Sequence, residues 1–192
     1  MTVAEAFAHQ GKACGNLGSP FMARLCALFA GQDWPDGVLK ERIHAWPGDI
    51  GPAGDSVPLR LCGGLHALFL KGHEGLSAVY PPNTSTDEAL WSAICNAMIQ
   101  EENFLDTWIN SAPQTNEVRR SVTLIPLGHL LAERFGMPIR TSELGASGGL
   151  NLNWDRYALK LDEQVYGPDN PALTLSPDWT GPLPSKTSPK VV

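Results

Sequence analysis

Along the first two thirds of the chain, apolar residues recur every three or four positions, the spacing of amphipathic helices. Phe21, Leu25, Leu28 and Phe29 form one such face. Ser19-Pro20 supplies an N-cap and a proline at the first helical position, and Gly31 ends the helix. A second helix is expected from near Pro58, through Leu61, Leu65, Leu68 and Phe69, to Gly72. Its Gly63-Gly64 pair costs about 1 kcal/mol per glycine relative to alanine, which points to another helix approaching closely. After the break at Pro81-Pro82, Ser85-Thr86-Asp87-Glu88 resembles a capping box opening a long helix to about Asn110, with Leu90, Ile94, Met98 and Leu105 on its core face. Pro113 ends that element. Thr115 or Asn116 caps the next helix, about 117 to 135, which carries Val122, Ile125, Leu131 and Phe135 before Gly136.

Beyond Gly136 the period changes. A strand is expected over 138 to 144, then a glycine turn, a short helix or turn from 149 to 154, and a strand over Tyr157 to Leu161. The tail from Gly167 is rich in proline and reads as loop, with Ala172 to Leu175 as a short strand. The pattern therefore predicts an α/β protein: a helical N-terminal region over 1–112, and from 113 to 192 the beginning of a Rossmann-like sheet domain, with a Pro-rich tail from about 167.

Composition narrows the function classes. The chain has 192 residues, 43% hydrophobic and 18% charged, enough for a core. With 14 Lys and Arg against 20 Asp and Glu, there is no electrostatic basis for gripping a phosphate backbone, so nucleic acid is not an expected partner. Met1 to Gln10 lack a basic start followed by an apolar run, and no apolar stretch is long enough to span a bilayer, so a cytoplasmic protein is expected, with no membrane partner. Cys14, Cys26, Cys62 and Cys95 contain no C-x-x-C pair and read as small hydrophobes. Cys62 and His66, four residues apart, are too few for zinc, and no metal is expected.

The chemistry concentrates in Glu143-Leu144-Gly145-Ala146-Ser147-Gly148-Gly149. Glycines turn the backbone tightly and let a ligand approach it without an intervening side chain. One alternative reads Gly145-x-Ser147-x-Gly149 as a nucleophile elbow. In that arrangement acid and histidine follow the serine, yet all five histidines precede Ser147. A second dense cluster, Gln114-Thr115-Asn116-Glu117-Val118-Arg119, opens the preceding helix. That helix is roughly 28 Å long and the strand after it about 23 Å. A short connection makes the two antiparallel, so the helix N-terminus should lie beside the glycine turn. Gln114, Asn116, Glu117 and Arg119 would then wall a pocket floored by Gly145 to Gly149, with Asn151 added from beyond the turn.

Glu143-x-Gly145-x-Ser147-x-Gly149 is similar to the E-x-G-x-G-x-G loop of S-adenosylmethionine-dependent methyltransferases, with serine at the middle glycine. Taken with Pro-Gln-Thr-Asn-Glu-Val at 113 to 118, Glu-Leu-Gly-Ala-Ser-Gly-Gly-Leu-Asn-Leu at 143 to 152, Asp155 and Tyr157, the chain resembles the bacterial family called domain of unknown function 2332. Ser19-Pro20, Arg60 to His66 and Tyr80-Pro81 extend the resemblance over nearly the whole chain. It implies a methyltransferase-like protein with S-adenosylmethionine as cofactor. Glu143, Gly145, Ser147 and Gly149 would hold the cofactor, Gln114, Asn116, Arg119 and Asn151 would add to the pocket, and Glu117 is the candidate catalytic base. It also implies that the chain is the front portion of a longer protein, with an exposed strand edge through which it could form a homo-oligomer. The competing class is a non-catalytic binding or interaction module in which the glycine turn is only a tight corner.

Overall fold

The computed structural model describes residues 1–114 and 117–192. The chain divides into two compact units, Met1–Pro113 and Gln114–Val192.

The first unit is helical: α1 (Val3–Asn16), α2 (Pro20–Gly31), α3 (Val38–His44), α4 (Val57–Leu70), α5 (Glu74–Ser77), α6 (Asp87–Gln100) and α7 (Glu102–Trp108). A reciprocal capping box opens α1, Thr2 accepting from the Glu5 amide while the Glu5 carboxylate accepts from the Thr2 amide. Ser19 and Pro20 open α2 as expected, although the Ser19 hydroxyl makes no capping bond. The box expected at Ser85 is shifted by one: Thr86 is the N-cap and accepts from Ala89 N–H, while Ser85 donates to the Val79 carbonyl. The long helix expected to reach Asn110 is broken at Glu101 (φ −111°, ψ 25°) into α6 and α7. The break brings the Glu102 carboxylate to the Leu39 amide at the start of α3 and sets α7 against α4. A side chain at Gly64 would meet Leu105 Cδ2 at 2.8 Å, so the glycine pair does mark close helix approach.

Phe7, Phe29 and Trp34 cluster at the centre of this core, with Leu25, Leu61, Leu65, Leu90 and Ile94 fully buried around them. Cys14, Cys26 and Cys62 are buried and Cys95 half-buried. The hydrogen bond with the neighbouring Cys26 sulfur, and burial after it, push the Cys62 thiol well up, so it stays protonated. One polar network staples the far end. Arg60 donates to the carbonyls of Asp55, Ile109 and Asn110 and to the Asp55 carboxylate, and its guanidinium lies 5.5 Å from the Trp46 ring. Arg42 stacks on the same ring and grips Asp106 and Asn110.

The second unit consists of a 3-10 turn (Val118–Arg120), α8 (Ser121–Phe135), a short 3-10 helix (Leu150–Arg156) and three strands, β1 (Tyr157–Leu161), β2 (Gln164–Tyr166) and β3 (Leu173–Leu175). Gly136, in the left-handed region, ends α8. In the sheet, β1 is central, antiparallel to β2 and parallel to β3. The β1–β2 hairpin turns through Asp162, which adopts positive φ. The fold is thus mixed α/β with a small three-stranded sheet.

The strand expected over 138–144 is not formed. Only one bridge occurs there, Ile139 parallel to Val191, with Ile139 N–H donating to the Lys190 carbonyl at 2.7 Å. A strand exists by its neighbours' hydrogen bonds, and among the described residues this segment's backbone pairs with the residues around Val191 alone. The proline-rich tail is stitched down rather than loose: besides that bridge, Tyr166 Oη donates to the Pro184 carbonyl and Thr187 Oγ1 to the His129 carbonyl.

The core of this unit is small, built on Ile125, Trp154, Tyr157, Leu159, Leu161 and Tyr166. Gly128 is its key: a Cβ there would lie 2.3 Å from the Trp154 ring, so only glycine lets the indole pack on α8.

Candidate functional site

Glu143 stands at the end of the extended segment, immediately before the turn. Its Oε1 accepts from Asn151 Nδ2 at 3.4 Å, and Asn151 Oδ1 accepts from the hydroxyl of Ser121, the first residue of α8, at 3.3 Å. Asn151 is 5% exposed and Ser121 fully buried. The acid, the residues beyond the turn and the start of α8 are therefore joined by one hydrogen-bonded chain. Ser147 Oγ also donates to Gln114 Oε1 at 2.7 Å. Of the first cluster, Gln114 thus meets the turn, through this side-chain bond rather than through a helix–strand pair.

The turn itself alternates left-handed residues. Gly145 and Gly149 have φ of 70°, and Ser147 between them has φ of 54°. For serine this conformation costs on the order of 1 kcal/mol. The space around the Gly145 Cα is open, so its glycine requirement is set by φ, not by crowding. Gly149 N–H donates to the Ala146 carbonyl, and Asn153 Nδ2 to the Gly149 carbonyl.

A cleft of about 700 Å³ opens along α8, walled by Ile139 to Glu143 on one side of the turn and Asn151, Leu152 and Trp154 on the other. Leu124 and Leu131 make it apolar, and Arg120 and Arg140 bring positive charge to it. Into this setting falls an exception: Glu143 Oε2 is buried and has no hydrogen-bond partner among the described residues. A buried carboxylate oxygen without a donor is costly and rare. The Trp154 Nε1–H is likewise buried and unpartnered.

Of the expected residues, Glu143 and Asn151 line the cleft, whereas Gln114, Gly145, Ser147 and Gly149 are not part of its wall. Asn116 and Thr115 lie outside the described residues. Glu117 and Arg119 are exposed, and Glu117 Oε1 accepts from the Arg119 amide in the manner of a helix cap. Arg120, not Arg119, reaches the cleft wall.

Two residues that the sequence reading passed over are central to this unit. His129 is 4% exposed and stands edge-on to Tyr166 at 5.2 Å. Burial pushes its pKa below the ordinary histidine value; the Thr187 carbonyl pulls it up, and Lys186 pushes it down. Trp154 is 3% exposed and lines the cleft. The available signal was Gly128-His129 within an apolar helix, a mark of something large packed against it.

A family model described as "Uncharacterized protein conserved in bacteria (DUF2332)" matches residues 4–192. No curated protein and no solved structure matched the chain.

Proposed function

This chain belongs to that bacterial family, and from that premise we propose that its Gln114–Val192 unit binds a nucleotide-like cofactor, S-adenosylmethionine fitting best, and serves methyl transfer. The observation that carries the reading is Glu143 Oε2, an acceptor buried at a cleft with nothing to accept from. An ammonium group is the donor that best satisfies a buried carboxylate. Arg120 and Arg140 can take a ligand carboxylate nearby, so the set suits an amino-acid portion, while Leu124, Leu131, Ile139 and Trp154 suit an aromatic base. The cofactor would supply the activated methyl group. The chain's own work is positional: Glu143 orients the amino end, the left-handed Gly145 and Gly149 keep the turn open, and Ser147, held by Gln114, fixes its crown. Rossmann-like character finds support in the parallel β1–β3 pairing and the parallel Ile139–Val191 bridge. Glu117 is the residue to test as base.

Calorimetric titration of S-adenosylmethionine and S-adenosylhomocysteine tests this. Saturable binding is expected, weakened at least tenfold in Glu143→Gln and lost in Gly145→Val. Absence of binding to the folded chain, or binding indifferent to Glu143→Gln, would sink the reading.

A second reading, an interaction module, has one observation in its favour: Leu127, Leu130, Phe135, Met137 and Leu144 are exposed in this unit. It predicts concentration-dependent self-association that Leu130→Glu abolishes while cofactor titration stays silent.

A further inference from the structure

A second chamber, of about 230 Å³, lies beside the cleft and, among the described residues, shares Trp154 alone with it. Its walls are flat and ringed: Trp154, Tyr157, Pro168 and Pro189 supply the apolar faces, and His129, Asp155 and Ser188 the polar ones. Gly167 forms part of the wall because no side chain fits there. A Cβ at that position would lie 2.4 Å from the Tyr157 carbonyl oxygen, so the chain must press its backbone directly onto β1.

The state of the His129 ring follows from hydrogen-bond accounting. Thr187 Oγ1 has one proton and donates it to the His129 backbone carbonyl at 2.8 Å. The same oxygen lies 3.4 Å from His129 Nδ1, so it can only accept there, and Nδ1 carries the imidazole proton. Nε2 is left as a lone-pair acceptor and makes no hydrogen bond among the described residues. Burial and the nearby Lys186 keep the ring neutral, which preserves that lone pair. His129 lines the chamber, so its unused Nε2 can take a donor from a molecule held there.

We propose that this chamber is a binding site for a hydroxylated ring, phenolic in character, whose O–H donates to His129 Nε2 while its ring lies against Trp154, Tyr157 and the two prolines. At about 230 Å³ the chamber takes one substituted ring and not a nucleotide, which separates its ligand class from that of the cleft. The site does not rest on S-adenosylmethionine binding: Trp154 lines both spaces, but Glu143, Arg120 and Arg140, which carry that reading, do not line the chamber.

Phenol and benzene distinguish the proposal by a single oxygen. Each is titrated at neutral pH into the isotopically labelled full chain, with the His129 imidazole and Trp154 indole resonances followed by NMR. Phenol should move both saturably, with benzene at least about tenfold weaker, the loss expected for an unmade hydrogen bond at a buried acceptor. His129→Phe should bring phenol down to the level of benzene. Equal binding of phenol and benzene to the unmodified chain, or no response of the His129 ring to phenol, would overturn the proposal, and neither outcome depends on a variant folding. A silent cofactor titration alongside a positive phenol titration would discard only the methyltransferase reading.

Discussion

The two units handle buried polar groups in opposite ways. In Met1–Pro113, Arg60 is 8% exposed and spends its guanidinium on three backbone carbonyls and a carboxylate, with Trp46 beneath it. Glu102 is likewise spent on the start of α3. Two side-chain atoms there, Gln10 Oε1 and Tyr80 Oη, lack partners, yet both residues are buried in the helical packing. In Gln114–Val192 the unpartnered atoms, Glu143 Oε2 and Trp154 Nε1, belong to residues that wall cavities. The unpartnered polar atoms of the first unit sit within its helical packing; those of the second belong to residues beside spaces a ligand could fill. Unpaired polar atoms at cavities, combined with left-handed turn residues, are the usual departures from self-consistency at a working site.

The comparison can be broken most strongly in the helical unit. Arg60→Ala strands the carbonyls of Ile109 and Asn110 and should cost about 3 kcal/mol in urea unfolding. A loss below about 1 kcal/mol would mean that the network is ornamental and that the contrast between the units is false.

A smaller effect is expected at Gly128. Alanine there adds about 1 kcal/mol of helix propensity, but the new methyl would meet the Trp154 ring, and overpacking typically costs 1–3 kcal/mol. The net expectation is a loss of about 1 kcal/mol, accompanied by displacement of the Trp154 indole resonance. A stabilised variant with an unmoved indole would show that α8 does not hold that ring.

The smallest effect is acid sensitivity. His129 binds its proton less readily folded than unfolded, so between the ordinary histidine range and the lowered folded value the unfolded state holds more protons. Stability from this source is therefore undiminished at neutral pH and is lost as pH falls. Asp155 lines the chamber beside the ring, Lys186 acts on it from the tail, and Tyr166 packs against it. His129→Phe should flatten the decline in stability between about pH 7 and 5, read by urea midpoints at each pH. An unchanged decline would assign the acid sensitivity elsewhere.

How much of this was legible in the sequence follows the same division. The helix starts at Pro20 and near Pro58, the close approach at Gly64 and the strand over Tyr157 to Leu161 could be read locally, because caps, prolines and periodicity act within a few residues. The box at Thr2 and Glu5 was equally local and was passed over. The break at Glu101 was not legible, since it goes with a contact to α3 more than sixty residues away. The strand over 138–144 failed for the same reason: its apolar and extended character is real, but pairing depends on partners, and among the described residues those around Val191 alone arrive. At the site, Glu143, Gly145 and Gly149 were singled out by the motif, while the bond of Gln114 to Ser147 forms without the helix–strand pair from which their proximity was expected. His129 and Trp154 were not, because their environment is made by the tail, whose lack of periodicity hid three tertiary attachments.

Hydrogen exchange of the chain with and without S-adenosylmethionine tests the contrast most directly. The account predicts added protection confined to Gln114–Val192, strongest over Glu143 to Trp154 and the first turn of α8, with α1 to α7 unchanged. Protection gained mainly in Met1–Pro113, or none anywhere at saturating cofactor, would contradict it.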